Sequence, residues 1–190
     1  KPIIGNKSEF YSKIPSRLFP IFRDREELAT SSELGKQINE ALELSSHLIV
    51  ICSPRAANSQ WVNQEILEFK RMGKANRILC LIVDGEPYAA EKPELRMEEC
   101  FPQAIKFKIG SDGNLSTSPT EPIAGDAREE KDGKENGLLK LIAGLLGVGF
   151  DQLKQRELVR KRNRMIVLNS VLFVLLAIVS TLAIWAFSER

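Results

Sequence analysis

The chain has 190 residues, 43% of them hydrophobic, which suffices for one ordinary globular core and a short additional segment. With 27 Lys and Arg against 25 Asp and Glu, the formal net charge is only +2, so the polyelectrolyte character of nucleic-acid-binding proteins is excluded. Three cysteines form no Cys-x-x-Cys pair and His47 is the only histidine, so we expect neither a bound metal nor an oxidising compartment.

The chain opens with a loop and a short strand. Residues 1–17 mix Pro, Gly, Asn and Ser with basic residues and show no period, which predicts a surface loop. Because the first residue is Lys rather than Met, we expect a longer protein upstream. Residues 18–22, LFPIF, predict a short strand at a sheet edge, since they include Pro20. Arg23 and Asp24 follow in a charged loop that is either a solvated surface or a recognition surface.

The most informative stretch joins a strand to a helix. Residues 47–52 are almost entirely apolar and rich in β-branched side chains, which is typical of a strand buried on both faces of a parallel sheet. Ser53 ends this strand, and Asn58 or Ser59 is placed to cap a helix whose apolar residues recur at helical spacing. Ligands of an α/β sheet bind at the carboxyl ends of its strands, which is where this turn lies.

Trp61 and Glu65 lie one turn apart at the start of that helix, beside the same crevice. A Ser, a Trp and a Glu that converge there predict a ligand site. The residues alone also leave ordinary structural roles open. Glu65 is then a solvated helix glutamate like Glu68, and Trp61 is an anchor in the core.

The following elements predict a parallel sheet. Residues 77–83, RILCLIV, repeat the buried-strand pattern, and residues 104–109 alternate apolar and basic side chains as a half-exposed edge strand does. Strands alternating with crossovers of helix length favour an α/β fold. Residues 110–136 are rich in Ser, Thr, Pro, Gly and acidic residues, which predicts a flexible loop, and an amphipathic helix follows.

The C-terminal segment predicts a membrane anchor. Residues 165–187 are 23 residues without a formal charge, and about 20 suffice to cross a bilayer as a helix. The preceding residues 151–164 are expected to form a basic juxtamembrane helix, so the positive-inside rule predicts a single-pass cell-membrane protein with residues 1–164 in the cytoplasm. The polar pair Asn169-Ser170 either bonds to a partner helix or is simply tolerated near the end of the span. The basic residues are Lys154, Arg156, Arg160, Lys161, Arg162 and Arg164.

With these elements in place, residues 18–150 resemble a Toll/interleukin-1 receptor (TIR) domain of the prokaryotic kind. The resemblance implies a flavodoxin-like fold with parallel strands ordered 2-1-3-4-5. The chain supplies the second to fifth strands, but the first strand and its helix are missing, which predicts a gap in the sheet beside residues 48–52. The segments that carry the resemblance are LFPIFRDREEL at 18–28, LIVICSP at 48–54, SQWVNQE at 59–65, RILCLIVDGEP at 77–87 and GLLKLIAGLLGVGFDQL at 137–153.

The family implies an enzymatic function. Many TIR domains cleave NAD+ at the nicotinamide–ribose bond, with NAD+ as substrate and no further cofactor. By resemblance, Glu65 matches the catalytic glutamate and Trp61 an aromatic residue of its pocket. Because nicotinamide leaves from a cationic pyridinium, one carboxylate that stabilises an oxocarbenium-like transition state suffices. Ser53 and Ser59 are placed to contact ribose or phosphate.

The family equally implies an interaction function. Many TIR domains assemble through the loop after the second strand, which Arg23 and Asp24 match in this chain. We therefore expect self-association with other TIR domains, activation by clustering, and a role in signalling or antiphage defence. The alternative to the enzyme is a non-catalytic scaffold that signals through TIR–TIR contact alone.

Overall fold

A parallel sheet forms the centre of the N-terminal part of the chain, in a computed structural model that describes residues 4–18, 21–22 and 34–188. The chain divides into two compact units, Lys1–Phe150 and Asp151–Arg190. The helices and strands in chain order are α1 (Leu34–Leu44), β1 (Leu48–Cys52), α2 (Pro54–Ala57), α3 (Gln60–Arg71), β2 (Ile78–Ile82), α4 (Gln103–Lys106), β3 (Phe107–Ile109), β4 (Leu115–Pro119), β5 (Ala124–Asp126), α5 (Gly133–Leu146) and α6 (Phe150–Ser188).

The sheet has the order β1-β2-β5, and both pairings are parallel. Leu48 lies opposite Ile78 in the first pairing, and Cys80 lies opposite Ala124 in the second. Helices separate the strands along the chain, so the predicted parallel α/β architecture is confirmed. Among the described residues, no strand pairs with the other edge of β1. The resemblance places the missing first strand at that edge.

Strand β1 is buried on one face only. Val50 and Cys52 are 5% and 0% exposed, whereas Ile49 and Ile51, which point to the other face, are 36% and 50% exposed. The prediction that both faces of this strand are buried is therefore wrong. A continuous apolar run fixes the composition of both faces but not what packs on them.

Helix α3 packs its apolar stripe against the buried face of the sheet. Ile66 and Phe69, three residues apart, are both fully buried, and each contributes roughly 1.5–3 kcal/mol through the apolar area it removes from water. The helix begins after the cap residue Ser59 and ends before Gly73, whose φ of 76° is the left-handed conformation that glycine adopts without strain. The predicted helix is confirmed here.

The structure differs from the sequence-based expectation between residues 103 and 119. The predicted edge strand 104–109 begins as helix α4, and only its last three residues form strand β3. Strand β3 pairs antiparallel with β4, outside the parallel sheet. The Gly110 N–H donates to the Asn114 carbonyl at 2.8 Å and closes the turn between them. A short hairpin of this kind needs only a local turn, so an alternating pattern does not distinguish it from an edge strand.

The third strand of the parallel sheet lies within residues 110–136, where the sequence predicts a loop. Strand β5 has only three residues, and its middle residue is Gly125. A Cβ atom on Gly125 would lie 2.6 Å from the carbonyl oxygen of Gly137, so helix α5 packs directly on the strand backbone. Such a strand has no apolar run, which explains why the sequence did not reveal it.

The second unit consists of one long helix, α6. Every described side chain from 158 to 180 is exposed, with Phe173 at 73%. Within the described residues, this is the one helix long and apolar enough to cross a membrane, judged by length and composition. An apolar surface on all sides of a helix is typical of a segment whose surroundings are themselves apolar.

The N-terminal segment has no helix or strand between residues 4 and 18. Leu18, Ile21 and Phe22 of the predicted first strand also lie in irregular backbone. Arg23 and Asp24, predicted to form an interface, lie outside the described residues, so their role stays a prediction.

Candidate active site

The turn after β1 contains two serines that cap helices. The Ser53 hydroxyl oxygen accepts a hydrogen bond from the Ala56 N–H at 3.3 Å and begins α2, which puts Pro54 at its favoured first helical position. The Ser59 hydroxyl oxygen accepts from the Val62 N–H, also at 3.3 Å, and begins α3. The predictions that Ser53 ends β1 and that the helix with Trp61 is capped at Asn58 or Ser59 are confirmed, with Ser59 as the cap. The oxygens of both serines stabilise helix starts, while a contact with substrate stays a prediction.

Trp61 and Glu65 lie on the first two turns of α3. The four-residue spacing puts both side chains on the same side of the helix. The indole of Trp61 is 74% exposed, so Trp61 is not an anchor in the core of this unit. Glu65 is half-buried, and the next residue, Ile66, is fully buried. An acidic group and an accessible aromatic surface therefore lie next to each other.

Asn63 holds the start of α3 in place, a role that the sequence analysis missed. Its amide nitrogen donates to the Ser59 carbonyl at 2.8 Å, and its amide oxygen accepts from the Ala104 N–H at 2.9 Å. At the other end of the helix, the Lys70 ammonium donates to the Phe107 carbonyl at 2.7 Å. Asn is unfavourable within a helix unless its side chain is used, which is the one hint the sequence contained.

A second cluster of charged side chains joins the ends of β2 and β5. The Arg128 guanidinium donates to Asp126 at 2.5 Å, to Glu86 at 3.1 Å and to the Gly85 carbonyl. Glu86 is only 5% exposed, and its second oxygen accepts from Lys92 at 2.6 Å. Sequence-based reasoning did not find this network, because Arg128 and Glu86 are 42 residues apart.

The electrostatics of this network favour full ionisation. Lys92, together with Arg128, holds the pKa of the Glu86 carboxyl below its ordinary value of 4.5. Burial works against the ionised form of Asp126, but the hydrogen bonds from Arg128 outweigh it and its pKa also lies below the ordinary value. The hydrogen bond to Asp126 is the main cause that raises the pKa of Arg128. Since these charges neutralise one another, the network offers no base to a substrate, and the loss of one partner would leave a buried charge uncompensated.

The three cysteines are not candidate nucleophiles. Cys52, Cys80 and Cys100 are free and fully buried in the core around the sheet. Burial raises the pKa of the Cys100 thiol to about 12, and the hydrogen bond with Cys80 raises the pKa of Cys52. A thiol acts as a nucleophile only as thiolate, so these side chains behave as small apolar groups.

Comparison with known families identifies the fold. The TIR domain family matches residues 8–110, which is more than half of the chain. The chain belongs to the TIR domain family. The matched range includes Ser53, Ser59, Trp61 and Glu65, so the candidate site lies within the part of the chain that matches the family. It stops before β5 and α5, which complete the unit in the structure.

One similar protein is known as an enzyme. The chain is similar to the NAD(+) hydrolase ApTIR of Actinoplanes sp., with 27% identity over 179 residues. The similarity covers 88% of this chain and 24% of that protein, so the chain spans about a quarter of the length of this curated relative. No solved structure matches the chain.

Proposed function

We propose that this chain is a membrane-anchored TIR domain that cleaves NAD+ at the nicotinamide–ribose bond, with Glu65 as the catalytic carboxylate. The observation that carries the proposal is the position of Glu65. Glu65 is a half-buried residue in the second turn of α3, the helix that follows the turn after β1, and it lies on the same side of that helix as the exposed Trp61. Similarity to a protein named as an NAD(+) hydrolase supports the same chemistry.

The reaction needs few groups from the protein. When the bond between ribose C1′ and the pyridinium nitrogen breaks, its electron pair goes to that nitrogen and nicotinamide leaves as a neutral molecule. The positive charge that develops on the ribose is stabilised by the Glu65 carboxylate, which requires no general acid. Water then adds to C1′ and loses a proton, which gives ADP-ribose. Trp61 offers an aromatic surface on which a planar ring of the substrate stacks.

The serines at the turn contribute to binding in this proposal. The oxygens of Ser53 and Ser59 accept from helix N–H groups, which leaves each hydroxyl hydrogen available to donate to a ribose or phosphate oxygen. Two hydroxyl donors at the carboxyl edge of the sheet would orient the dinucleotide without adding charge.

Loss of NAD+ in cells that express the full protein tests the catalytic role. We expect Glu65→Gln and Glu65→Ala to reduce NAD+ loss by at least about a hundredfold, the cost of removing one group that stabilises transition-state charge. Glu68→Gln is the matched control, because Glu68 lies on the same helix and its carboxylate pairs with Arg71 at 2.7 Å. Equal NAD+ loss in the parent and in Glu65→Gln would refute the catalytic role.

A scaffold function is the second candidate, and the exposure of Trp61 favours it as well as the enzyme. An indole that is 74% exposed is the kind of side chain that anchors protein–protein contacts. The scaffold predicts no NAD+ loss in any variant. It also predicts that charge reversal in the proposed interface loop, Arg23→Glu or Asp24→Lys, abolishes association between TIR domains.

Anchoring to a membrane completes the proposal. Helix α6 is long and apolar enough to span a bilayer, and the six basic residues of 151–164 lie directly before its apolar part. The proposed topology leaves residues 1–164 in the cytoplasm of a single-pass protein. Extraction at alkaline pH tests insertion, and protease added to sealed right-side-out cells tests topology, since residues 1–164 should be protected.

A further inference from the structure

Two neighbouring polar residues of α6 differ in their hydrogen bonds. The Ser170 hydroxyl donates to the Ile166 carbonyl at 2.8 Å, so its hydrogen bond is made within its own helix. Within the described residues, the Asn169 side-chain amide makes no hydrogen bond. Asn169 therefore brings an amide with two donors and an acceptor into an otherwise apolar surface.

A shallow groove lies beside Asn169 on the surface of α6. It has a volume of about 430 Å³ and is lined by Ile166, Asn169, Ser170, Phe173 and Val174. Grooves between the side chains of successive turns are the places where ridges of a second helix pack. Asn169 lies at the edge of this groove, so a helix that packs beside the groove on the Asn169 side contacts the amide.

Hydrocarbon around α6 supplies no hydrogen-bond partner for this amide. Asn169 lies four residues after Met165, which is about 6 Å along the helix from the start of the uncharged segment. An amide without a partner at that depth is costly. A second copy of the same helix provides a matching partner, because the Asn amide is both donor and acceptor and two copies related by a two-fold axis satisfy each other.

The same face of α6 continues towards its C-terminal end. Leu176 and Ser180 follow Asn169 by seven and eleven residues, so at 3.6 residues per turn all three lie within about 40° of one another. Ser180 lies about 16 Å further along the axis and adds a second small polar side chain to this stripe. Small and polar residues are the ones enriched where membrane helices pack together.

We propose that two copies of this chain associate in parallel through the face of α6 that carries Asn169, Leu176 and Ser180, with the two Asn169 amides hydrogen-bonded to each other. The inference rests on the proposed membrane anchoring but not on NAD+ cleavage. Pairing of the anchors confines two TIR domains to one patch of membrane and raises their effective concentration for further assembly. The basic residues of 151–164 repel one another in such a pair, so anionic lipid strengthens it.

Energy transfer between donor- and acceptor-labelled full-length chains in lipid vesicles tests the pairing. We expect Asn169→Leu, which is apolar and similar in size, to weaken association about three- to thirtyfold, the range of interhelical hydrogen bonds in membranes. Asn169→Gln keeps an amide and should retain most of the association. Ser170→Ala is the matched control and should leave association unchanged, because its hydroxyl already bonds within the helix.

Cross-linking tests the face independently. Leu176→Cys should form a disulfide between copies, whereas Val171→Cys, which points about 140° away from Leu176, should not. The native cysteines do not compete, since all three are buried. Association of Asn169→Leu as tight as that of the parent, or equal cross-linking at 171 and 176, would overturn the inference.

These outcomes are separable from those of the proposed function. Association is measured without NAD+, and in Glu65→Gln as well, so a failure of the catalytic role leaves the association result unaffected. If alkaline extraction releases the parent chain from vesicles, anchoring and pairing are both overturned. If the chain inserts and Asn169→Leu still associates like the parent, pairing alone is overturned.

Discussion

The turn after β1 and the turns after β2 and β5 lie at the same edge of one sheet, yet they differ in their charges. The β1 turn uses the neutral hydroxyls of Ser53 and Ser59 to begin helices. The other turns contain the buried network of Arg128 and Glu86 with their partners. The β1 turn leads to the exposed Trp61 and the half-buried Glu65. At the turns after β2 and β5, the charged side chains neutralise each other.

The comparison distinguishes charged groups that are paired within the protein from groups at the same edge that remain candidates for binding a ligand. All three turns follow the general rule that ligands of an α/β sheet bind at the carboxyl ends of its strands. In the network, the hydrogen bonds are made within the protein, so a ligand would have to break them. Glu65 lies in the helix that begins at the β1 turn, where the capping groups are neutral, so the β1 turn is the candidate for binding.

The largest loss of stability is expected when Arg128 is removed from the network. Arg128→Ala leaves Glu86 and Asp126 as buried carboxylates without their shared partner, so the free energy of unfolding should fall by about 4 kcal/mol. Urea titration of the full chain in detergent micelles measures this. Arg55→Ala, at an exposed position of α2, is the control and should stay within about 0.5 kcal/mol of the parent. A loss no larger than that of the control would contradict the structural role.

The pH dependence of stability sharpens the contrast. The folded-state pKa of Glu86 lies below 4.5, so its contribution is present above that pH and is lost as the pH falls through the folded value. Glu86→Gln should lower the free energy of unfolding by about 3 kcal/mol at neutral pH. The gap between variant and parent should narrow below pH 4.5. Burial also lowers the pKa of His47, but that effect is common to both proteins and cancels. A gap that stays constant in acid would contradict this assignment.

On the β1 side, the largest loss of stability is expected at Asn63. Asn63→Ala removes the hydrogen bonds to Ser59 and Ala104, which should cost about 2 kcal/mol. NAD+ turnover should fall as well, because these bonds position the first turn of α3 ahead of Glu65. Gln64→Ala, at the exposed neighbouring position, is the matched control. Unchanged unfolding of Asn63→Ala in the same urea titration would show that other contacts hold α3.

The smallest effect on stability is expected at Trp61. Because its side chain is 74% exposed, Trp61→Ala should change the free energy of unfolding by no more than about 0.5 kcal/mol. NAD+ turnover should nevertheless weaken through a higher KM, and Trp61→Phe should restore most of it. A large loss of stability in Trp61→Ala would contradict this prediction and indicate that Trp61 packs in the core.

Sequence-based reasoning succeeded where the signal is local. The run that became β1 and the periodic stripe of Ile66 and Phe69 in α3 each lie within a single element, so composition and spacing reveal them. Ser59 was among the two predicted caps of α3, because capping depends on the adjacent residues. The same holds for the long apolar run of α6.

The reasoning failed where partners are distant in sequence. Strand β5 has three residues, and Gly125 gives it no apolar side chain at its centre, so only its pairing with β2 makes it a strand. The pairing of Arg128 with Glu86 depends on that same register. The exposure of Ile51 depends on which other segments pack against that face of β1, and the sequence of the strand does not indicate this.

The sequence by itself determined the family, strand β1 and helix α3 with the turn that joins them, and the apolar segment 165–187. Only the tertiary structure decided which charges at the sheet edge are neutralised, which face of β1 is covered, and where the third parallel strand lies. The physical reason is that composition and periodicity act over a few neighbouring residues. The pairing of charges, the burial of a strand face and the pairing of strands all depend on groups that come from distant parts of the chain.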